Sequence, residues 1–310
     1  MEEAENVITQ NENIDDECIL LAQGITKRYK QTKANDNITV GIPRGKIVGF
    51  VGENGSGKTT FLRVVTKLIF PNAGTFRFNT PDGKCRIGAI VESPAYHPGM
   101  SARDNLRFQA RLCGADEKGI DRILEMVGLL DTGKKAAKNF SLGMRQRLGI
   151  AIALISDPEL LILDEPTNGL DPQGIIELRE FLKSLCRERK MTLLISSHIL
   201  SELSLLAEHY LFIHKGVILR SVSAEELFSR SDKRLIFRCE NDPSAFLKEA
   251  VSNGWAEEIE EKNGSFILHG PKQYPALLAA LSELNVTELE TKEETLETRY
   301  LSLMGKGEQQ

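Results

Sequence analysis

Gly52-Glu53-Asn54-Gly55-Ser56-Gly57-Lys58-Thr59-Thr60 brings phosphate-binding residue types together at the spacing G-x-x-x-x-G-K-[ST]. Gly52, Gly55 and Gly57 open backbone conformations closed to other residues, so successive N–H groups can point inward at phosphate oxygens. Lys58 can reach the β- and γ-phosphates of a nucleoside triphosphate, and the Thr59 hydroxyl can ligate Mg²⁺. A second set is Asp164-Glu165: Asp164 is placed to hold Mg²⁺, and Glu165 to orient or polarise the water that attacks the γ-phosphate. A third is His198, able to contact the γ-phosphate or that water. A fourth, Ser141 with Gly143, sits at a helix start that can receive an anion, although most such starts are simply caps.

Elements must carry these groups to one place. Lys46 to Val51 is a β-branched, apolar run fit for a buried parallel strand, and Phe61 to Leu68 repeats its apolar residues at helical spacing. Strand, glycine-rich loop and helix therefore follow in the order the motif requires, with the helix dipole aimed at the loop. Leu160 to Leu163 is a second buried-strand run, which puts Asp164 at the strand end where α/β sheets bind ligands. Met191 to Ser196 is a third, ending beside His198. Thr75 to Phe78 and Ile87 to Val91 also read as strands, Asp104 to Leu112 and Glu117 to Val127 as helices, and Gln173 to Arg189 as another helix. Tyr29 has an aromatic face suited to an adenine ring; the plainer reading is a half-exposed strand tyrosine.

The bulk composition is that of an ordinary globular protein: 310 residues, 41% hydrophobic, 27% charged, net charge −5. That charge gives no support to a general nucleic-acid binder. Cysteines at 18, 85, 113, 186 and 239 form no CxxC pair, which argues for a reducing compartment and against a zinc site. No apolar stretch is long enough to span a bilayer. Residues 1–17 are acidic with no basic side chain and read as a disordered tail rather than a signal peptide.

Beyond Arg230 the composition shifts. Strands at 234–239, 256–259, 265–269 and 286–289, with helices at 243–251 and 274–284, give the β-α-β-β-α-β order of a small ferredoxin-like module. A last helix is expected at 293–303 and a polar tail at 305–310.

With Gly52 to Thr59, Ser141, Asp164-Glu165 and His198 in this order, the chain resembles the ATP-binding subunits of ABC transporters. The resemblance implies an α/β P-loop NTPase cassette over residues 18–230, a mixed sheet core with a helical subdomain at about 95–140, followed by an accessory α/β domain at 231–304. Gly52 to Thr59 looks like Walker A, Tyr29 like the adenine-stacking aromatic, and Ser141 with Gly143 like the signature motif. Leu160 to Asp164 looks like Walker B, Glu165 like the catalytic glutamate, Asn168 to Asp171 like the D-loop, and His198 like the switch histidine. ATP and Mg²⁺ are the implied ligands.

One position departs from the family pattern. The Q-loop glutamine is here Glu92, which still offers an oxygen to Mg²⁺ but no amide donor. A glutamate there, followed by Ser93-Pro94 and Tyr96, is similar to the subunits of bacitracin-resistance and lantibiotic-immunity exporters. The resemblance further implies a head-to-tail, ATP-dependent dimer of two copies. It also implies a separate membrane permease as partner and a cytoplasmic location at the inner face of the cell membrane. The competing expectation, a soluble non-transport ABC ATPase, would need two tandem cassettes or a long insertion before Ser141. The single motif and the short Lys58 to Ser141 interval speak against it, and intact Glu165 and His198 against a regulator without turnover.

Overall fold

The structure is a computed structural model that describes residues 17–229, 233–256, 258–262, 264–293, 295–297 and 300–301. The expected acidic tail up to residue 16 and the polar tail at 305–310 lie outside the described residues. The chain divides into two compact units, Met1–Val222 and Ser223–Gln310. The division falls ahead of the composition shift at 231, because helix Ala224–Ser229 groups with the second unit.

The first unit is built on a six-stranded sheet whose strands, from one edge to the other, are Ile87–Ile90 (β5), Leu160–Asp164 (β6), Thr192–Ser197 (β7), Ile47–Val51 (β3), His209–His214 (β8) and Val217–Ser223 (β9). Pairing from β5 through β6, β7 and β3 to β8 is parallel. Every residue of β3, β6 and β7 is buried, the pattern of strands covered on both faces. Because β7 lies between β6 and β3, the residues that follow these three strands emerge side by side along one edge of the sheet.

A second, antiparallel sheet of β1 (Cys18–Tyr29), β2 (Thr32–Pro43) and β4 (Ala73–Phe78) has the order β2-β1-β4. Strand β2 has no counterpart in the sequence reading, since Lys33-Ala34-Asn35-Asp36-Asn37 is polar and turn-prone. Its inward residues Ile38, Val40 and Ile42 nevertheless join one core with β1, β3, β6, β7 and helix α1 (Lys58–Val65). Phe50 on β3 and Phe61 on α1 meet edge to face at 5.5 Å in that core.

Helices α2 (Ala102–Cys113), α3 (Ile120–Met126) and α4 (Leu142–Leu154) form the helical section. Ser101 caps α2, accepting from Asp104 N, and Gly114 ends it at φ 69°. Asn105, 2% exposed, takes the amide of His97 at 2.7 Å and donates to His97 O and Ser101 O, which pins the loop that follows Glu92. Helix α5 (Pro172–Arg189) begins at Asp171, whose carboxylate accepts from Gly174 N. The short helix α6 (Leu200–Ser204) was not anticipated.

The second unit opens with α7 (Ala224–Ser229), where Ser223 Oγ accepts from Glu226 N as its capping sequence predicts. Four strands follow: β10 (Lys233–Cys239), β11 (Glu258–Lys262), β12 (Ser265–His269) and β13 (Val286–Glu293). Their order is β11-β12-β10-β13 with all neighbours antiparallel, the ferredoxin-like arrangement. With α8 (Ser244–Ser252) and α9 (Tyr274–Ser282) they bury Phe237, Phe246, Trp255 and Leu277. Strand β13 runs to Glu293, where the last helix was expected to begin, and that helix falls partly outside the described residues.

Candidate active site at the strand ends of the parallel sheet

The phosphate loop joins β3 to α1 through backbone that only glycine fits. Gly57 has φ 108°, and a Cβ there would lie 2.3 Å from Ala34 O; a Cβ on Gly52 would lie 2.6 Å from Ile213 O. Gly57 is the N-cap of α1, so the positive end of that helix faces the loop. The Lys58 side chain folds back across it, donating to Gly52 O at 2.6 Å and Glu53 O at 3.1 Å. Lys58 is 5% exposed, and burial lowers its pKa, with Glu165, Asp164 and Glu53 opposing that shift. A cation so desolvated is stabilised by an incoming anion. Ser56 Oγ, buried without a hydrogen-bond partner, adds a donor at the same loop.

The carboxylates arrive from β6. Thr59 Oγ1 donates to Asp164 Oδ2 at 2.9 Å, and Ser196 Oγ at the end of β7 donates to Asp164 Oδ1. Glu165 N donates to both Ser196 O and Ser196 Oγ at 3.1 Å. Glu165 Oε2 lies 2.7 Å from His198 Nδ1, and Glu165 Oε1 lies 3.8 Å from Lys58 Nζ. The structure thus gathers Lys58, Thr59, Asp164, Glu165 and His198 within one chain of contacts.

Other residues singled out in the sequence stand elsewhere. Ser141 caps α4, accepting from Met144 N at 3.2 Å. A Cβ on Gly143 would meet Leu170 Cδ2 at 3.4 Å, and one on Gly169 would strike Leu142 Cδ2 at 2.5 Å, so the Asn168–Asp171 turn packs on the start of α4. Tyr29, 44% exposed, ends β1 opposite Thr32, with Lys27 Nζ 5.5 Å from its ring centroid. Glu92, at φ 70°, pairs through its carboxylate with Arg63 on α1.

Three residues that sequence reasoning missed support the site. Ser196 orders both carboxylate positions, but nothing marks it within a buried-strand run. Asn35, wholly buried, donates from Nδ2 to Gly57 O at 3.0 Å and so braces the phosphate loop from β2. The polar run that hid β2 hid Asn35 as well. Arg63 was read only as part of an amphipathic helix.

The donor set suits Mg²⁺. Thr59 Oγ1 and Asp164 Oδ2 are hard oxygens in contact, and among the described residues no group of three or more His, Cys, Asp or Glu gathers to hold a metal. An ion held by only these oxygens would complete its shell with water and phosphate oxygens, the usual situation of Mg²⁺ with nucleotides.

Comparison with known proteins shows the family. Residues 35–168 match the ABC transporter family model. The chain is 39% identical over 300 residues to the bacitracin transport ATP-binding protein BcrA of Bacillus licheniformis, covering 93% of this chain and 98% of that one. It is 42% identical over 221 residues to the lantibiotic transport ATP-binding protein SrtF of Streptococcus pyogenes, covering 68% of this chain and 96% of that one. Among solved structures it is similar to the dimeric, post-hydrolysis ATP-binding cassette MJ0796 bound to ADP and Pi. The TM-score is 0.58 at 25% identity, covering 66% of this chain and 98% of that one. A phosphate loop, two ordered carboxylates and a histidine at the ends of adjoining parallel strands, with a relative matched over 93% of this chain and 98% of its own length, place the chain in the ABC transporter family as an ATP-binding, ATP-hydrolysing subunit.

Proposed function

We propose that the chain energises export of a peptide antibiotic through a separate membrane permease, working as a head-to-tail dimer with a second copy of itself at the inner face of the membrane. The observation that carries the cargo is the extent of likeness. Similarity to the bacitracin transport subunit covers 93% of the chain and so includes the ferredoxin-like unit, whereas similarity to the lantibiotic transport subunit covers 68%. Among the described residues no helix is long and apolar enough to cross a membrane, so passage of a cargo requires a partner.

Within the site, the phosphate-loop amides and Lys58 hold the triphosphate, and Tyr29 stacks on the base. Thr59 and Asp164, with Glu92 as a further oxygen, would hold Mg²⁺; when bound, the ion would neutralise charge developing on the β- and γ-phosphates. Glu165 polarises the attacking water, with one oxygen toward Lys58 and the other fixed by His198. Ser141 and the start of α4 supply donors to the nucleotide on the opposite copy, which makes each site a product of two chains.

Glu165→Gln keeps the shape but removes the carboxylate that polarises water. ATP turnover is expected to fall at least about a hundredfold, with an ATP-bound dimer accumulating on gel filtration. A variant that stays monomeric with ATP, or turns over normally, overturns the mechanism. For the cargo, unchanged bacitracin and lantibiotic sensitivity on deleting the gene refutes the export reading.

A further inference from the structure

Arg63 lies four residues after Thr59, so the two side chains share one face of α1, a single turn of about 5.4 Å apart. Its guanidinium meets the Glu92 carboxylate. Glu92 follows β5 much as Asp164 ends β6, and those strands are adjacent and parallel, Ile90 opposite Leu163. Its left-handed φ of 70° fixes the direction in which the side chain leaves the backbone. The carboxylate thus sits beside the helix that carries Thr59, displaced along it toward Arg63.

We propose that Arg63 is a positioning residue that stores the Glu92 carboxylate one helical turn from Thr59 and releases it to Mg²⁺ when the ion arrives with the triphosphate. An ordinary surface ion pair would join the same two side chains without this consequence. Two things distinguish the latch: the shared face with Thr59 and the fixed backbone at Glu92. The energetics suit a latch, because a half-exposed pair stabilises by no more than about 1 kcal/mol and a divalent cation outcompetes it. Arg63 then neutralises Glu92 whenever metal is absent, sparing the triphosphate a like charge nearby. The proposal rests on reading Thr59, Asp164 and Glu92 as the ion's oxygens.

The test is equilibrium binding of ATP to the full chain in Mg²⁺ and in EDTA, for wild type, Arg63→Met, Glu92→Gln and the double variant. Arg63→Met is expected to weaken metal-free ATP binding roughly two- to five-fold, the range of an exposed charge pair, and to leave MgATP binding as tight as wild type or up to about five-fold tighter, since no pair then has to be broken. Glu92→Gln in the Arg63→Met background is expected to restore metal-free binding to within about two-fold of wild type, since the charge needing neutralisation is gone. Equal losses with and without Mg²⁺, or no restoration in the double variant, overturn the proposal; unchanged binding by Arg63→Met in EDTA does so too. A wild-type chain that fails to bind MgATP overturns the ATP-site reading itself. Arg63→Lys, which keeps the charge and loses the planar fork, separates neutralisation from helix packing: it is expected to bind metal-free ATP like wild type, and binding as weak as Arg63→Met refutes a charge-based role.

Discussion

Gly149 on α4 is where the helix headed by Ser141 touches the loop that follows Glu92, and replacing it with alanine tests whether that contact is tight. A Cβ at Gly149 would lie 2.4 Å from Pro94 Cβ, 3.0 Å from Pro94 Cγ and 3.1 Å from Ile90 Cδ1. Carbon atoms rest at about 3.5–4.0 Å, so Pro94 must retreat by about 1 Å. Two effects oppose each other. Overpacking costs about 1–3 kcal/mol, and glycine-to-alanine in a helix interior returns about 1 kcal/mol. The balance depends on whether Pro94 can move, and Asn105 holds the same loop at His97. We therefore expect a net loss of about 2 kcal/mol, a midpoint about 4–8 °C lower by thermal unfolding of the cassette. Gly119→Ala is the control, because φ there is −80° and nothing lies within 4 Å of its Cβ; it should unfold at or slightly above wild type. A Gly149→Ala protein as stable as the Gly119 control would refute the inference that α4 and the loop are locked together.

Asn35→Leu removes a donor to Gly57 O together with an unpartnered buried Oδ1, while Gly57 O keeps its bond from Phe61 N at 3.0 Å. Stability should change by less than about 1 kcal/mol while ATP affinity falls about five- to tenfold through a looser phosphate loop; unaltered affinity in a nucleotide titration would show the brace is only structural. Phe237, wholly buried with Phe246 at 5.5 Å and Phe266 at 5.4 Å, should cost the ferredoxin-like unit about 3–5 kcal/mol when cut to alanine. Retained ATP binding by a protein whose second unit has melted would show that the two units fold separately, and joint loss would refute it.

The sequence was most legible where a motif and a buried run coincide. Leu160 to Asp164 is apolar up to its final carboxylate, so the strand and a candidate site residue could be read from one string. The ferredoxin-like order was readable because its strands carry alternating or aromatic residues, Leu235 and Phe237 inward on β10 and Phe266 and Leu268 toward the same core on β12. Strand β2 was not readable: its first half is polar because it lies against the phosphate loop, where Asn35 and Ala34 meet backbone rather than core. Tertiary contact overrode local preference there. The pairing of Glu92 with Arg63 was equally hidden, for two charged residues 29 positions apart carry no periodic signal. Sequence spacing gives the chemistry a residue can do; the partner that holds it comes only from the fold.

Backbone conformation adds one more layer that composition conceals. Glu165 has φ 50°, a left-handed geometry that disfavours any side chain, yet Ser196 O and Oγ both hold its amide at 3.1 Å. Such a residue costs about 1–2 kcal/mol, a strain the surrounding bonds must sustain to aim the carboxylate between Lys58 and His198. Comparing Glu165→Gly with Glu165→Ala isolates that term, because both lose the carboxylate and its contacts. Relief of strain favours glycine, its greater freedom in the unfolded chain opposes by about 0.5–1 kcal/mol, and the difference should leave the glycine variant more stable by about 0.5–1 kcal/mol in urea unfolding. An alanine variant of equal or greater stability would mean the backbone at Glu165 carries no strain. If glycine is the more stable, the carboxylate is held in place before nucleotide binds, and catalysis draws on orientation stored in the fold rather than on rearrangement during turnover.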